Sequence, residues 1–111
     1  MVKQLPINGI YPDKIAASNS MRVPVVSQME MQNPGKNGDV LLEVTTGGTG
    51  CIVTVKGANG YKDSVNTVPT NTTSIIGPFI PSRFNAIGDR IIIEFSETNG
   101  IMAQGITLLE V

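Results

Sequence analysis

The chain is cut into short runs by turn dipeptides. Asn-Gly occurs at Asn8, Asn37, Asn59 and Asn99, and Gly-Gly at Gly47. These pairs tolerate the positive φ angles of tight turns, so they end strands and start new ones. Between them the apolar residues alternate. In "DVLLEVTT", Val40, Leu42 and Val44 fall on one face and Leu41, Glu43 and Thr45 on the other. "CIVTVKG" sets Cys51, Val53 and Val55 against Ile52, Thr54 and Lys56. A period of two marks a half-buried strand. With "TTGGTG" between them, the two runs read as an antiparallel hairpin.

The same reading extends along the chain. "RIIIEFSE" puts Ile91, Ile93 and Phe95 on one face, and Ile92 makes the other face apolar as well, which predicts a central strand. "TTSIIG" is a strand, and Ser64 to Val68 is a short edge strand that Pro69 ends. "ETNG" reads as a hairpin turn into a last strand, "IMAQGITLLEV", with Gly105 marking a bulge. Near the start, "QLPINGIY" reads as an edge strand and "PDKIAASNS" as room for one helical turn. "MRVPVVSQMEM" alternates Met21, Val23 and Val25 against Arg22 and Val26, with Pro24 confining it to an edge, and "QNPGKNG" is a turn.

About seven strands, with turn signals roughly every 8 to 12 residues, predict an all-β fold: an antiparallel β-sandwich, Ig-like or jelly-roll-like. Composition agrees, with 41% apolar and only 15% charged residues, 12 Gly and 7 Pro, unlike the Ala-, Leu-, Glu- and Lys-rich profile of a helical bundle. At 111 residues a single domain, 1–111, is expected, with residues 1–20 as an N-terminal arm or an edge strand.

The side chains argue against catalysis. There is no histidine, which removes Ser-His-Asp and Cys-His arrangements and histidine-ligated zinc. The one cysteine, Cys51, can form neither an intramolecular disulfide nor a thiolate cluster, and reads as a small buried apolar side chain. Asp89 with Glu94, or Glu94 with Glu97, could pair for glycoside chemistry, but acids at strand ends read first as solvated. Asp63 and Asp89 lack the Asp-x-Asp-x-Asp spacing of a calcium loop. "TTGGTG" lacks the Lys-Ser/Thr of a phosphate loop and lies between strands. The "NTT" at Asn71 matches a glycosylation sequon by chance in a Thr-rich loop. No enzyme and no cofactor is expected.

A net charge of −1 with no basic run argues against nucleic acid. No apolar run is long enough for a membrane span. The opening "MVKQLPINGIYPDK" has no apolar secretory core, so synthesis in a reducing cytoplasm is expected. Trp is absent, leaving Tyr11 and Tyr61 as the candidates for a sugar-stacking platform.

The most specific stretch is "TTSIIGPFIPSRFNAIGDRIIIEFS". Pro78 has no amide for a ladder, and Gly77 allows backbone that other residues avoid. Phe79 can then swing back over the core, Pro81 blocks renewed pairing, Phe84 offers a second plug, and Asn85 can bond nearby backbone. Gly77, Pro78, Phe79, Phe84 and Asn85 therefore define a structural corner, with Arg83 on its outer side as a candidate partner contact.

"IVTV", "IIGPF", "RFN" and "GDRIIIEFSETNGIMAQGITLLEV", in this order and spacing, resemble a group of small head proteins of tailed bacteriophages and prophages. The likeness covers about residues 39–111 and not the first 38. It implies a virion structural protein made in the bacterial host cytoplasm, a decoration or cement protein on the capsid surface with the major capsid protein as partner. It supplies no catalytic residue and no cofactor. Leu5, Ile7, Ile10 and Tyr11 mix apolar side chains with turn residues and suit an attachment arm that orders by strand addition. A trimer and a monomer are both consistent with the sequence, and outward apolar residues such as Leu41, Ile52 and Ile92 could serve a subunit interface. The alternatives are a carbohydrate- or host-surface-binding module and, further off, a head–tail connector component.

Overall fold

The alternating runs are strands, laid in two sheets that face each other across one apolar layer. A computed structural model describes residues 3–5, 7–10, 22–33 and 40–108. Its elements in chain order are β1 (Lys3–Leu5), β2 (Ile7–Ile10), β3 (Val23–Pro24), β4 (Gln28–Gln32), β5 (Val40–Thr45), β6 (Cys51–Val55), β7 (Ser64–Val68), β8 (Thr73–Ile76), α1 (Pro81–Phe84), β9 (Asn85–Ile87), β10 (Arg90–Phe95) and β11 (Met102–Leu108). One sheet runs β1-β4-β10-β6-β7, with β9 also on β10. The other runs β2-β11-β5-β8, with β3 also on β11. The expected β-sandwich is the fold, antiparallel except at β1 on β4 and β2 on β11, which are parallel.

Period two decides what meets in the middle. Met29 and Met31, Ile91, Ile93 and Phe95, and Cys51, Val53 and Val55 line one inner face; Val40, Leu42, Val44, Ile76 and Ala103 line the other. All are buried, Cys51 among them. Each sheet has a central strand from the last third of the chain. β10 has β4 along one edge, and β9 followed by β6 along the other. β11 likewise has β5 on one edge, and β3 followed by β2 on the other.

Two expected hairpins are instead crossings between sheets. β5 pairs with β11 and β8, while β6 pairs with β10 and β7. Both β5 and β6 have a fully apolar face, and placing those faces opposite each other buries both. "TTGGTG" makes the crossing and is held by Thr46, whose N–H donates to Thr72 O at 2.9 Å and whose hydroxyl bonds Pro69 O. "ETNG" likewise carries the chain from β10 to β11 in the opposite sheet, with Ile101 N–H closing the turn on Thr98 O.

Smaller differences have local causes. "MRVPVVSQMEM" is two strands in different sheets, β3 and β4: Pro24 pairs with Met102 within β3, Val25 N–H still bonds Ile101 O, and the chain then crosses to β4. "QLPINGIY" is likewise split into β1 and β2, with the proline between them in sequence, so the N-terminal residues run along both sheets. Asn8-Gly9 is not a turn: it pairs in register with Ile106 and Thr107. Gly105 is no bulge, because its pairing with Leu42 lies in an unbroken register; the shift occurs between Arg90 and Ile91, where β9 departs. The segments 12–20 and 34–39, expected as a helical turn and part of a turn, lie outside the described residues.

The outer faces are unequal. In the β11 sheet, Glu43 is buried although it faces away from the core. Arg22 Nε meets its Oε1 at 2.5 Å, and Gln104 Nε2 donates to the same oxygen at 3.0 Å, so the charge is matched where water is excluded. In the β10 sheet, Ile92 is half-buried but Ile52 and Val65 are exposed at 45% and 65%. Leu41 is half-buried.

Candidate functional site

The corner after β8 is built from its glycine outward. Gly77 has φ +120° and precedes a cis peptide to Pro78. The φ calls for glycine, and a Cβ there would in addition crowd Phe79 Cε2 at 3.2 Å and Leu41 Cδ2 at 3.3 Å, side-chain atoms that would have to give by a few tenths of an ångström. The chain then turns Phe79 into the core, where it is 2% exposed, and Phe79 N–H bonds Val40 O at 3.3 Å. Pro81 opens the single helical turn α1, the position at which a missing amide costs nothing. Phe84 at its end packs edge-on against Phe79, with ring centroids 5.6 Å apart. Phe79 is buried in the core, while Phe84 is partly buried and packed against it.

Asn85 bonds backbone far away in sequence. Its Nδ2 donates to Asn33 O at 3.0 Å, while Asn33 Nδ2 donates to Asn85 Oδ1 at 2.9 Å and Phe79 O at 3.0 Å. Asn33 N–H also bonds Asp89 O at 2.7 Å. Asn33 is fully buried and ties the start of the corner to its end. Sequence reasoning missed it, since an Asn before Pro reads as a turn residue and nothing local marks its partners 46 and 52 positions on.

A second loop, residues 57–63, is fastened to this corner. Ala58 N–H donates to Arg83 O at 2.7 Å, and Asn59 Nδ2 to Ser82 O at 2.7 Å. The loop turns through Asn59 and Gly60, with φ of 54° and 82°, as its Asn-Gly pair predicts. Asp63 closes it: one carboxylate oxygen accepts Gly57 N–H at 2.8 Å and the other Lys56 Nζ at 2.9 Å. The Gly57 amide and Lys56 hold the Asp63 carboxyl below its ordinary value. The bond to Asp63, and its charge, hold the Lys56 ammonium above its own.

The fastening brings Arg83 over Tyr61, with the guanidinium carbon 5.1 Å from the ring centroid. Tyr61 remains 50% exposed, and Ile80, whose carbonyl accepts Arg83 N–H, is 44% exposed. Cation–ring contacts of this exposed kind are worth about 0.5–1 kcal/mol. Two residues singled out separately in the sequence, Arg83 as a partner contact and Tyr61 as a ring platform, form one unit.

The other candidates are elsewhere. Leu5 and Ile7 lie in β1 and β2, paired through the backbone with β4 and β11. In the β10 sheet, β4 and β10 separate β1 from the strand β6 that leads into the Tyr61 loop. Tyr11 lies outside the described residues. An open groove of about 420 Å³ on the outer face of the β10 sheet is lined by Ser27, Gln28, Ile52, Thr54, Glu94, Phe95 and Ser96. Glu94 is its one titratable lining residue and sits 3.8 Å from Lys56 Nζ. Among the described residues no three His, Cys, Asp or Glu side chains gather as a metal site.

No family model, no curated protein and no solved structure matches the chain.

Proposed function

We propose that this is a non-enzymatic virion structural protein that binds the outer capsid surface of a tailed phage and stabilises it. The observation that carries this reading is the Tyr61–Arg83 platform, a fastened and outward-facing pair of the residue types that dominate protein–protein contacts. The platform is pre-ordered, so docking loses little conformational freedom. The resemblance of the corner motifs, in their order, to small phage head proteins is the ground for choosing the major capsid protein as partner. On a shell the contact repeats many times. A modest affinity per copy then suffices, because a protein bridging neighbouring subunits gains from the fixed lattice. A monomer or a trimer can act in this way.

The test is shell stability. Heads of the parent phage lacking the protein are heated with and without it, and genome release is followed by dye fluorescence. Added protein is expected to raise the release temperature, and an unchanged release temperature at saturating protein overturns the stabilising role.

A second reading, a carbohydrate- or host-surface-binding module, is favoured by the exposure of Tyr61. The Arg83 guanidinium covers one ring face, which leaves a single face for a sugar. Loss of glycan retention on Tyr61→Ala supports that reading, and a wild-type protein that retains no glycan removes it.

A further inference from the structure

We infer that the Tyr61–Arg83 platform receives a carboxylate-bearing segment of its protein partner, an acidic side chain beside an apolar one. This deepens the binding role proposed above and rests on it for the partner's identity, though not for its chemistry. Arg22, Lys56 and Arg90 each have an acidic partner: Glu43 at 2.5 Å, Asp63 at 2.9 Å and Glu30 at 2.6 Å. Arg83 and Lys62 have none among the described residues, and both belong to the platform. Among the described side chains these two cations without an acidic partner are both near Tyr61, Lys62 as its neighbour in sequence and Arg83 across its ring.

The contact with the ring occupies the π face of Tyr61 and none of the Arg83 N–H donors. A guanidinium's planar fork of donors matches two carboxylate oxygens. No side-chain hydrogen bond within the described residues uses those donors. Lys62, next to Tyr61 and exposed, adds a second positive charge without a fixed geometry. The exposed ring of Tyr61, and Ile80, exposed three residues before Arg83, supply apolar area to the same corner. The complement of such a surface is an acid flanked by an aliphatic or aromatic residue. Nucleic acid is disfavoured, because two cations on a chain of net charge −1 neutralise too few phosphates.

The experiment uses the full chain and a defined probe. A capped hexapeptide with two glutamates flanking a leucine is titrated in, followed by the same peptide with glutamines. The readouts are the Arg83 Nε–H and Tyr61 ring resonances. The acidic peptide is expected to shift both and to bind about tenfold more tightly than its neutral counterpart, a difference that shrinks in high salt. Arg83→Gln abolishes the preference. Arg83→Lys retains only part of it, because the ammonium keeps the charge and loses the fork. Equal shifts with both peptides, an unmoved Arg83 resonance, or tighter binding of a mixed-sequence oligonucleotide each overturn the inference. Unchanged thermal unfolding of both variants excludes a folding defect. Binding to heads separates this inference from the virion role. If heads take up wild type and Arg83→Glu equally and the peptide fails, the inference falls and the virion role stands. If the peptide binds through Arg83 and heads take up nothing, the inference stands and the virion role falls.

Discussion

At the scale of the residue, the molecule is held together by polar side chains doing long-range work. Asn33 joins both ends of a corner that starts 46 residues later. Asp63 joins the ends of the loop that carries Tyr61, and this contact has a pH signature. Its carboxyl is held below the ordinary value of 3.8, first by the Gly57 amide and then by Lys56, and a depressed acid contributes stability above its unfolded pKa that is lost as pH falls through the folded one. The Lys56 ammonium is held above its ordinary 10.5, so its contribution is complete below that value and is lost as pH rises through the folded pKa. The loop is therefore expected to be fully closed between these limits and to open below 3.8, where Asp63 gains a proton. Following the Tyr61 ring resonances with pH checks this. They should be constant at neutral pH and move together with the Gly57 amide in acid. In Asp63→Asn that coupled acid transition should disappear, and its persistence would place the titrating group elsewhere.

At the scale of the element, the corner and the 57–63 loop are tied together by hydrogen bonds from Ala58 and Asn59 to Arg83 and Ser82. Gly57 shows how little room there is: a Cβ would come 2.0 Å from Tyr61 O and 2.7 Å from Lys62 O, both backbone atoms that cannot swing away. Gly57→Ala is expected to open the loop, separate Tyr61 from Arg83 and lower the affinity for the partner about as much as Tyr61→Ala does, with the sandwich core intact. Near-ultraviolet dichroism of the tyrosines, together with unfolding of the core, separates these effects. The strands themselves were legible in the sequence. Ile91, Ile93 and Phe95 name the inner face of β10, and Ser64 to Val68 is the edge strand β7. The corner was legible too, because Gly77, Pro78 and Phe79 each have one local use. Which strand pairs with which was not, since a run such as Val40–Val44 fits a neighbour in its own sheet or one across the core equally well. The Tyr61–Arg83 contact was illegible for the same reason: it depends on Ala58 and Asn59 finding the carbonyls of Arg83 and Ser82, and backbone acceptors leave no mark in a sequence.

At the scale of the whole molecule, two central strands organise the sandwich, and the chain enters along one side and exposes the other. β1 and β2 run on the outer edges of β4 and β11, while β7 and β8 adjoin at the opposite side and end their sheets. This arrangement leaves the backbone of Leu5 and Ile7 engaged within the fold, so an attachment arm made of these residues would have to give up pairs with Met31 and Gly105. The Tyr61–Arg83 platform requires no such exchange, and for that reason it is the better place for the proposed partner. The number of copies a head takes up tests the proposed capsid role most directly. Purified protein is mixed with heads of the proposed parent phage lacking it, sedimented, and the bound copies are counted against the major capsid protein. Saturable binding at a copy number commensurate with the capsid subunits, lost on Arg83→Glu, is the predicted result. Binding of a few copies at one vertex would assign the protein to the connector instead, and no binding at any concentration would contradict a capsid role altogether.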